Sequence, residues 1–435
     1  MVIKGENFLV LGLSKSGVNS YNLIEKYGGN AYYYDDFIEN IEYKKADNIY
    51  SVKDLYCAVK SPGFFNQKVL ECLRGKGIPI ISEIELGFCF CKSPIVAVTG
   101  TNGKTTTVSL LHEILKEANL KSKLLGNVGT AFTSLADDCQ FSDFAVLEVS
   151  SFQLMDIAAF KPHIGAILNI DNDHLNIHKS FKNYKRAKLN IFSNMGKCEY
   201  AVLNFDDKNL RDVKTTAKMF WFSINEPVFR GCYILNGKVI FINSHIESVL
   251  RLTDIKLLGK HNLQNALCAI LCAKLLHVDN ETIRRAVSNF PGVKHRLQYV
   301  KTLNGVNFYN DSKATNINSA LVAARAMDKP TALILGGSDK GFDYRELFKN
   351  LSKNIKCCFI YGTTGQIMEK AAKAVKYSDI SVCENLDSAV ICAYEYIKKE
   401  EGNVLLSPAA ASFDNFKNFE ERGEYFIKTV NSIKA

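Results

Sequence analysis

Short runs of apolar residues punctuate this chain, and most of them stop at a glycine, a serine or an acidic residue. Residues 8–11, 31–34, 55–59, 95–98, 144–147 and 164–170 have the length and the β-branched or aromatic content of buried strands. Between several of these runs the period lengthens to that of a helix. After 95–98 it sets Val108, Leu111, Ile114 and Leu115 on one face, and residues 20–27 read as a helix behind a turn over 12–17. Strands that alternate with helices predict α/β domains built on parallel sheets. A hairpin is predicted at Asn236-Gly237, between the runs at 233–235 and 239–242.

Two breaks organise these elements. Lys92-Ser93-Pro94 closes a first unit, 1–91, and Pro291-Gly292 closes a second, 92–292, leaving 293–435 as the third. A length of 435 residues suits about three domains. The first and third units read as Rossmann-like, and the central one as a P-loop ATPase domain with a parallel sheet.

The candidate chemistry lies where strands end. Residues 95–98 run into Thr99-Gly100-Thr101-Asn102-Gly103-Lys104-Thr105-Thr106-Thr107 and then into a helix. Strand, glycine loop with Lys-Thr, and helix form a grip for a nucleoside triphosphate. Backbone N–H groups and the positive helix end cradle phosphates, Lys104 reaches the terminal ones, and the Thr105 hydroxyl is placed for Mg²⁺. The glycines are spaced G-x-x-G-K-T, two residues tighter than the usual pattern. Glu148 follows the run 144–147, where a carboxylate can hold the same metal, with Ser150 just beyond.

Lys188 is the odd residue. Residues 180–195 read as a helix with Phe181, Tyr184, Ile191, Phe192 and Met195 on one side, and Lys188 falls inside that stripe. Either its stem packs while the ammonium reaches water, or it is a buried lysine able to act as a neutral amine.

In the first unit the turn Gly12-Leu13-Ser14-Lys15-Ser16-Gly17 resembles a dinucleotide fingerprint with Ser14 where the middle glycine belongs. That argues against NAD and leaves open another diphosphate-bearing molecule or an ordinary strand-to-helix turn. In the third unit Asp311-Ser312-Lys313-Ala314-Thr315-Asn316, Ser338-Asp339-Lys340 and 412–419 each follow a strand. Two lysines with a serine and a threonine at neighbouring strand ends would hold a small dicarboxylate.

Composition narrows the partners. Hydrophobic residues make up 47% and charged residues 23%, as in folded globular proteins. The net charge of +9 comes without a basic block or an aromatic–basic repeat, so it reads first as lysines scattered over solvated faces and otherwise as attraction of anionic small substrates, and nucleic acid is not expected. The longest apolar segment, 266–278, is too short for a bilayer and contains Lys274. No secretory signal is read at the N-terminus, so a cytoplasmic protein is expected, with its 13 cysteines reduced and no membrane partner.

The phosphate loop, His261-Asn262-Leu263-Gln264-Asn265-Ala266, and His295-Arg296 together carry a family resemblance. Over essentially its whole length the chain resembles the Mur ligases of bacterial cell-wall synthesis. Asp311–Asn316, Leu406-Ser407-Pro408-Ala409-Ala410-Ala411-Ser412 and Phe416-Lys417-Asn418-Phe419-Glu420-Glu421-Arg422-Gly423 resemble the members that add D-glutamate. The resemblance implies that D-glutamate is joined to UDP-N-acetylmuramoyl-L-alanine with ATP and two Mg²⁺ ions, through an acyl phosphate. It implies catalytic roles for Lys104, His174 and Lys188, with Thr105 and Glu148 on one metal, and with His174 and a carbamylated Lys188 on the other. Asn127 and Ser150 would lie at the sugar nucleotide. Asn262, Asn265, Arg296 and Asp311 would hold the adenosine; Lys313, Thr315, Lys340, Ser412 and the backbone of Phe419 would hold D-glutamate. A monomer is expected, and a sibling Mur ligase or a folate-type ligase is the nearest alternative. The chain departs from the pattern at Ser14, at Asn176 (an aspartate in relatives) and at Asp36-Phe37, where relatives often carry Thr-Arg against the uridine.

Overall fold

The computed structural model describes every residue except Ile41, Ser142, Lys340, Lys434 and Ala435, and the backbone but not the side chain of Asn176. Two compact units emerge, one of Met1–Ile255 with Leu263–Phe290, the other of Lys256–Asn262 with Pro291–Ala435.

The first unit holds two sheets. In the smaller, four parallel strands lie in the order Asn30–Tyr34, Asn7–Leu11, Leu55–Lys60 and Ile80–Ser82. The larger has nine strands, among which Ile95–Thr99 runs parallel between Phe144–Glu148 and Ile164–Ile167. Ser122–Gly126 forms one edge, and Tyr200–Asn204 and Lys218–Ser223 extend the sheet the other way. Beyond them lies the predicted hairpin, Gly231–Leu235 with Lys238–Ile242, whose turn residues Asn236 and Gly237 have φ of 49° and 71°, and Ile246–Arg251 pairs antiparallel with the hairpin as the far edge. Positive φ at both positions matches the twist of the strands they join. The second unit has one six-stranded sheet. Gln298–Leu303 pairs antiparallel at the edge, then Val306–Asn310, Asn403–Leu406, Thr331–Gly336, Ile355–Tyr361 and Ile380–Val382 follow in parallel. All three sheets are α/β layers, as the alternation of periods predicts.

Three expectations shift in detail. The helix expected over 20–27 begins at Lys15, because Ser14 takes the N-cap position and Gly17 packs on the Gly12 carbonyl. A Cβ on Gly17 would lie 1.9 Å from that oxygen, so only glycine lets the first turn form there. The strand expected over 164–170 stops at Ile167, after which Asn169 turns back to the phosphate loop. The helix expected over 180–195 is an α-helix only from Phe181 to Leu189 and tightens to a 3₁₀ turn at Asn190–Phe192. Its apolar stripe is real: Tyr184, Lys188, Ile191, Phe192 and Met195 are all buried. The segment 266–278 lies mostly in the helix Lys260–Leu275, whose residues Ala266 to Ala273 are wholly buried. No described helix is long and apolar enough to cross a membrane.

Inside the first unit a short helix, Glu83–Phe88, joins the two sheets through buried charge. Glu85, 2% exposed, accepts the backbone N–H groups of Ala158, Ala159 and Phe160 at 2.8, 2.8 and 2.9 Å. Lys60 and Asp156, both buried, pair at 2.8 Å beside it. Three charge-assisted bonds to one carboxylate leave three stranded donors if the carboxylate goes. Glu85→Ala should therefore lower unfolding free energy in urea by about 3 kcal/mol or more; a loss below about 1 kcal/mol would show that the contact is not structural.

Candidate active site

The phosphate loop leaves an interior strand, with a parallel neighbour on each side, which is where parallel sheets open a crevice. Gly100 and Gly103 adopt φ of 156° and 88°, and Gly103 is the N-cap of the helix Lys104–Glu117. A Cβ on Gly103 would meet Asn265 Oδ1 at 2.1 Å, so the second glycine is dictated by a side chain pressed against it. Asn169 fixes the first half of the loop. Its carbonyl accepts from Thr101 N at 3.0 Å, and its amide exchanges bonds with the Asn102 backbone at 2.8 and 3.1 Å. The helix start from Gly103 onward is then the anion cradle, since the first four N–H groups of a helix have no partner within it. Thr106 and Thr107 are buried in that first turn, Thr107 donating to the Gly103 carbonyl at 3.1 Å.

Glu148 ends the adjacent strand. Thr105 Oγ1 donates to its Oε2 at 2.7 Å, and Asn127 Nδ2 donates to its Oε1 at 2.8 Å. A buried carboxylate touching a hydroxyl is a hard-oxygen donor set of the kind that suits Mg²⁺. Ser150 caps the short helix Ser151–Leu154 in a reciprocal box with Gln153.

Lys188 is 2% exposed, so of the two sequence readings the buried one holds. Its Nζ donates to the Gly100 carbonyl at 2.8 Å, and Lys104 Nζ donates to the same oxygen at 2.8 Å. Burial first, and then the Lys104 charge, push the Lys188 ammonium down to about 6. At neutral pH the group is an amine. It lies 4.7 Å from the centre of the Tyr184 ring, and Tyr184 holds Thr101 through a hydroxyl pair at 3.0 Å.

From there a series of rings leads to His174: Tyr184 meets His178 at 5.1 Å, His178 stacks on Phe152 at 5.1 Å, and Phe152 meets His174 at 5.0 Å. His174 itself is half exposed and left-handed, with φ of 52°. His178 was not anticipated from the sequence, although a histidine four residues after His174 shares its helical face. Its Nε2 meets Ser151 Oγ at 3.0 Å, and burial followed by the nearby positive charges holds its ring below the usual histidine range.

A cavity of about 230 Å³ in the same unit is lined by Ser14, Lys15, Ser16, Gly63, Asn127 and Gly129. Ser14, Lys15 and Ser16, at the start of the helix Lys15–Lys26, form part of its wall. Lys15 Nζ donates to the Gly129 carbonyl at 2.7 Å. Beside the turn, Asp35 accepts the N–H groups of Leu13, Phe37 and Ile38, which outweigh its burial and hold the carboxyl below its usual range. Phe37 is left 94% exposed at the tip of that loop.

In the second unit Asp311 follows its strand and accepts from Ser407 Oγ at 2.8 Å and Leu297 N at 3.1 Å. Burial pushes its carboxyl up to about 7 against those bonds and the Arg296 charge. Arg296 is exposed in a tight turn between His295 and Leu297, whose φ values are 62° and 41°. Asn262 donates to the Leu258 carbonyl at 2.8 Å, while Asn265 belongs to the first unit, against Gly103. The four residues expected at adenosine are thus divided between the units. Lys313 Nζ lies 5.2 Å from the centre of the Phe419 ring, and its backbone N–H and carbonyl bond to His295 and Thr315. Ser312 Oγ donates to the Phe419 carbonyl at 2.8 Å, and Ser412 is 2% exposed in the next loop. Lys340 lies outside the described residues.

Comparison with known proteins bears on this geometry. The Mur ligase middle domain matches residues 98–273, and the Mur ligase glutamate ligase domain matches 295–410. The chain is 38% identical to the UDP-N-acetylmuramoylalanine--D-glutamate ligase of Alkaliphilus oremlandii, over all of both chains. It is also 38% identical to the protein of the same name from Bacillus cereus, over 99% of this chain and 98% of that one.

The chain belongs to the Mur ligase family.

As a Mur ligase it is an ATP-dependent ligase. Its fold is shared with solved members at low identity. The UDP-N-acetylmuramate-alanine ligase MurC of Thermotoga maritima superposes with a TM-score of 0.60 at 17% identity, covering 99% of this chain and all of that one. MurF of Thermotoga maritima, solved with ADP, gives 0.59 at 17% identity over 99% and 96%. In this Mur ligase the crowding at Gly103 has a direct consequence. Gly103→Ala should weaken ATP binding measured by calorimetry at least about tenfold, by forcing Asn265 away and straining a left-handed backbone; unchanged affinity would show that the loop does not need its second glycine.

Proposed function

We propose that this Mur ligase joins D-glutamate to UDP-N-acetylmuramoyl-L-alanine, releasing ADP and phosphate, in cytoplasmic peptidoglycan precursor synthesis. The observation that carries the reading is identity of 38% along the full chain with relatives bearing that name. The member-specific loops around Lys313, Ser412 and Phe419 support it.

Residues 1–91 bind the UDP-sugar, with the diphosphate against Ser14, Lys15 and Ser16 in the cavity at the helix start. Asn127 and Ser150 meet the sugar end. At the uracil end Phe37 stands where relatives carry a cation, and its exposed ring offers a stacking face. Residues 92–292 hold ATP, its phosphates on 101–107, and residues 293–435 hold D-glutamate. Asn262, Asn265, Arg296 and Asp311 take the adenosine. Lys313, Thr315, Lys340, Ser412 and the Phe419 backbone take the amino acid, as a monomer would do within one chain.

The alanyl carboxylate attacks the γ-phosphorus, the bond to the β–γ bridging oxygen breaks, and ADP leaves an acyl phosphate. Lys104 steadies the phosphate charge as it shifts. The D-glutamate amine then attacks the acyl carbon, the tetrahedral adduct expels phosphate, and the amine proton is lost. Thr105 and Glu148 would hold one Mg²⁺, and His174 with Lys188 would hold another. Such ions offset the charge that builds between carboxylate and γ-phosphate. Lys188 fits this role as a carbamate: its free amine takes up CO₂ and loses a proton, turning a buried cation into an anionic oxygen ligand.

Phosphate release tests the reading. It should require ATP, UDP-N-acetylmuramoyl-L-alanine and D-glutamate together, with L-glutamate or diaminopimelate unable to substitute. ATP consumption that ignores either acceptor or amine contradicts it. In the same assay Lys188→Arg, which stays cationic, should cut turnover by roughly a thousandfold. Since only the free amine takes up CO₂, wild-type activity should fall as pH drops through about 6; a flat profile there, or normal turnover in the variant, would remove Lys188 from the metal site.

A further inference from the structure

Arg422 is wholly buried, the largest side chain with so little exposure among the described residues. It sits in the first turn of the helix Phe419–Ser432 and points back under the strand ends of the six-stranded sheet. Its Nε donates to Ser312 Oγ at 2.9 Å and its Nη2 to the Ser312 carbonyl at 2.8 Å. Its Nη1 donates to the carbonyls of Ala411 at 2.9 Å, Ala410 at 3.2 Å and Gly336 at 3.4 Å. One planar fork thus reaches three separate strand exits and the start of its own helix. A lysine, with a single point of donation, could not span them.

The surroundings are built around this group. Gly337 has φ of 139°, and a Cβ there would lie 2.9 Å from Arg422 Nη1 and 2.0 Å from the Ala411 carbonyl. Gly423 packs on His295, whose Nδ1 a Cβ would meet at 2.1 Å, and its carbonyl accepts from Asn310 Nδ2 at 3.1 Å. Ser312 passes the contact on, since the hydroxyl that accepts from Arg422 donates to the Phe419 carbonyl at 2.8 Å. Ser338 is tied in as well, its N–H donating to the Ala411 carbonyl at 3.0 Å and its hydroxyl oxygen accepting from Phe413 N at 3.1 Å.

Among the described residues no carboxylate lies within ion-pair distance of Arg422. Asp414 is an acidic group that faces it, and among the described residues its buried oxygens meet no hydrogen-bond donor. A buried charge held by carbonyls and hydroxyls without a paired carboxylate is costly, and it persists where structure or function demands it.

We infer that Arg422 is the positioning residue of the amino-acid site, locking the loops that bear Lys313, Ser412, Phe419 and Ser338 into one arrangement and lending positive potential toward a dicarboxylate. This rests on the D-glutamate reading above. Arg422 touches no substrate; it acts through Ser312, Ala411 and the helix start.

The test is steady-state kinetics of the full-length enzyme, varying each substrate in turn. Arg422→Lys should raise the KM for D-glutamate at least tenfold and leave the KM values for ATP and the UDP-sugar within twofold. Ser312→Ala, which deletes one hydroxyl between Arg422 and Phe419, should raise the same KM by threefold or more in a normally folded enzyme. It decides the matter should the arginine variant fail to fold. A lower melting temperature with an unchanged KM for D-glutamate would make the group merely structural and overturn the proposal. Wild-type enzyme that shows no dependence on D-glutamate would instead overturn the functional reading, and this inference with it.

Discussion

Two lysines share one carbonyl oxygen. Lys104 comes from the start of the phosphate-loop helix and Lys188 from a helix far along the chain, and both donate to Gly100. Two ammonium charges about 5 Å apart at an effective dielectric of about 20 repel by ~3 kcal/mol, and burial adds to the cost for whichever is less exposed. Lys188 is that one, and burial first, then the Lys104 charge, push its ammonium down to about 6. The proposed carbamate and the proposed second metal position rest on this arrangement, as does the tolerance of a lysine in an apolar stripe. Tyr184, His178 and Phe152 then carry the same packed layer to His174.

Around that point the unit is held by polar side chains that serve backbone groups rather than each other. Asn169 fixes the loop's first half, Asn265 forbids a side chain at Gly103, and Glu148 collects Thr105 and Asn127. Glu85 does the same work between the two sheets. The second unit repeats the strategy with a cation, Arg422 gathering carbonyls where Glu85 gathers N–H groups. In both units candidate loops leave the carboxyl ends of parallel strands, and a buried charged side chain gathers backbone groups from separate segments.

Much of this was legible in the amino-acid order. The phosphate loop, the strand ending at Glu148 and the hairpin at Asn236-Gly237 are local signals, set by residues close in sequence. Lys188 was legible because helical periodicity alone places it among apolar neighbours. Glu85 and Arg422 were not, although both stand within patterns the sequence displays. Their partners lie 73 to 75 residues away for Glu85 and as far as 110 for Arg422, and no local period reports a contact of that range. His178 escaped for another reason: its role is set by Phe152, on a different helix. Helix and strand ends moved by several residues wherever a tertiary contact decided them, as at Gly17 and Asn169.

The central claim is the charge state of Lys188, and it can be measured directly. With lysines labelled at Cε, the Lys188 resonance, assigned by its absence from Lys188→Ala, can be followed against pH by NMR in CO₂-free buffer. A midpoint near 6 is the expected result. A midpoint near 10.5, the usual value for lysine, would mean that the amine stays protonated beside Gly100 and that the account is wrong.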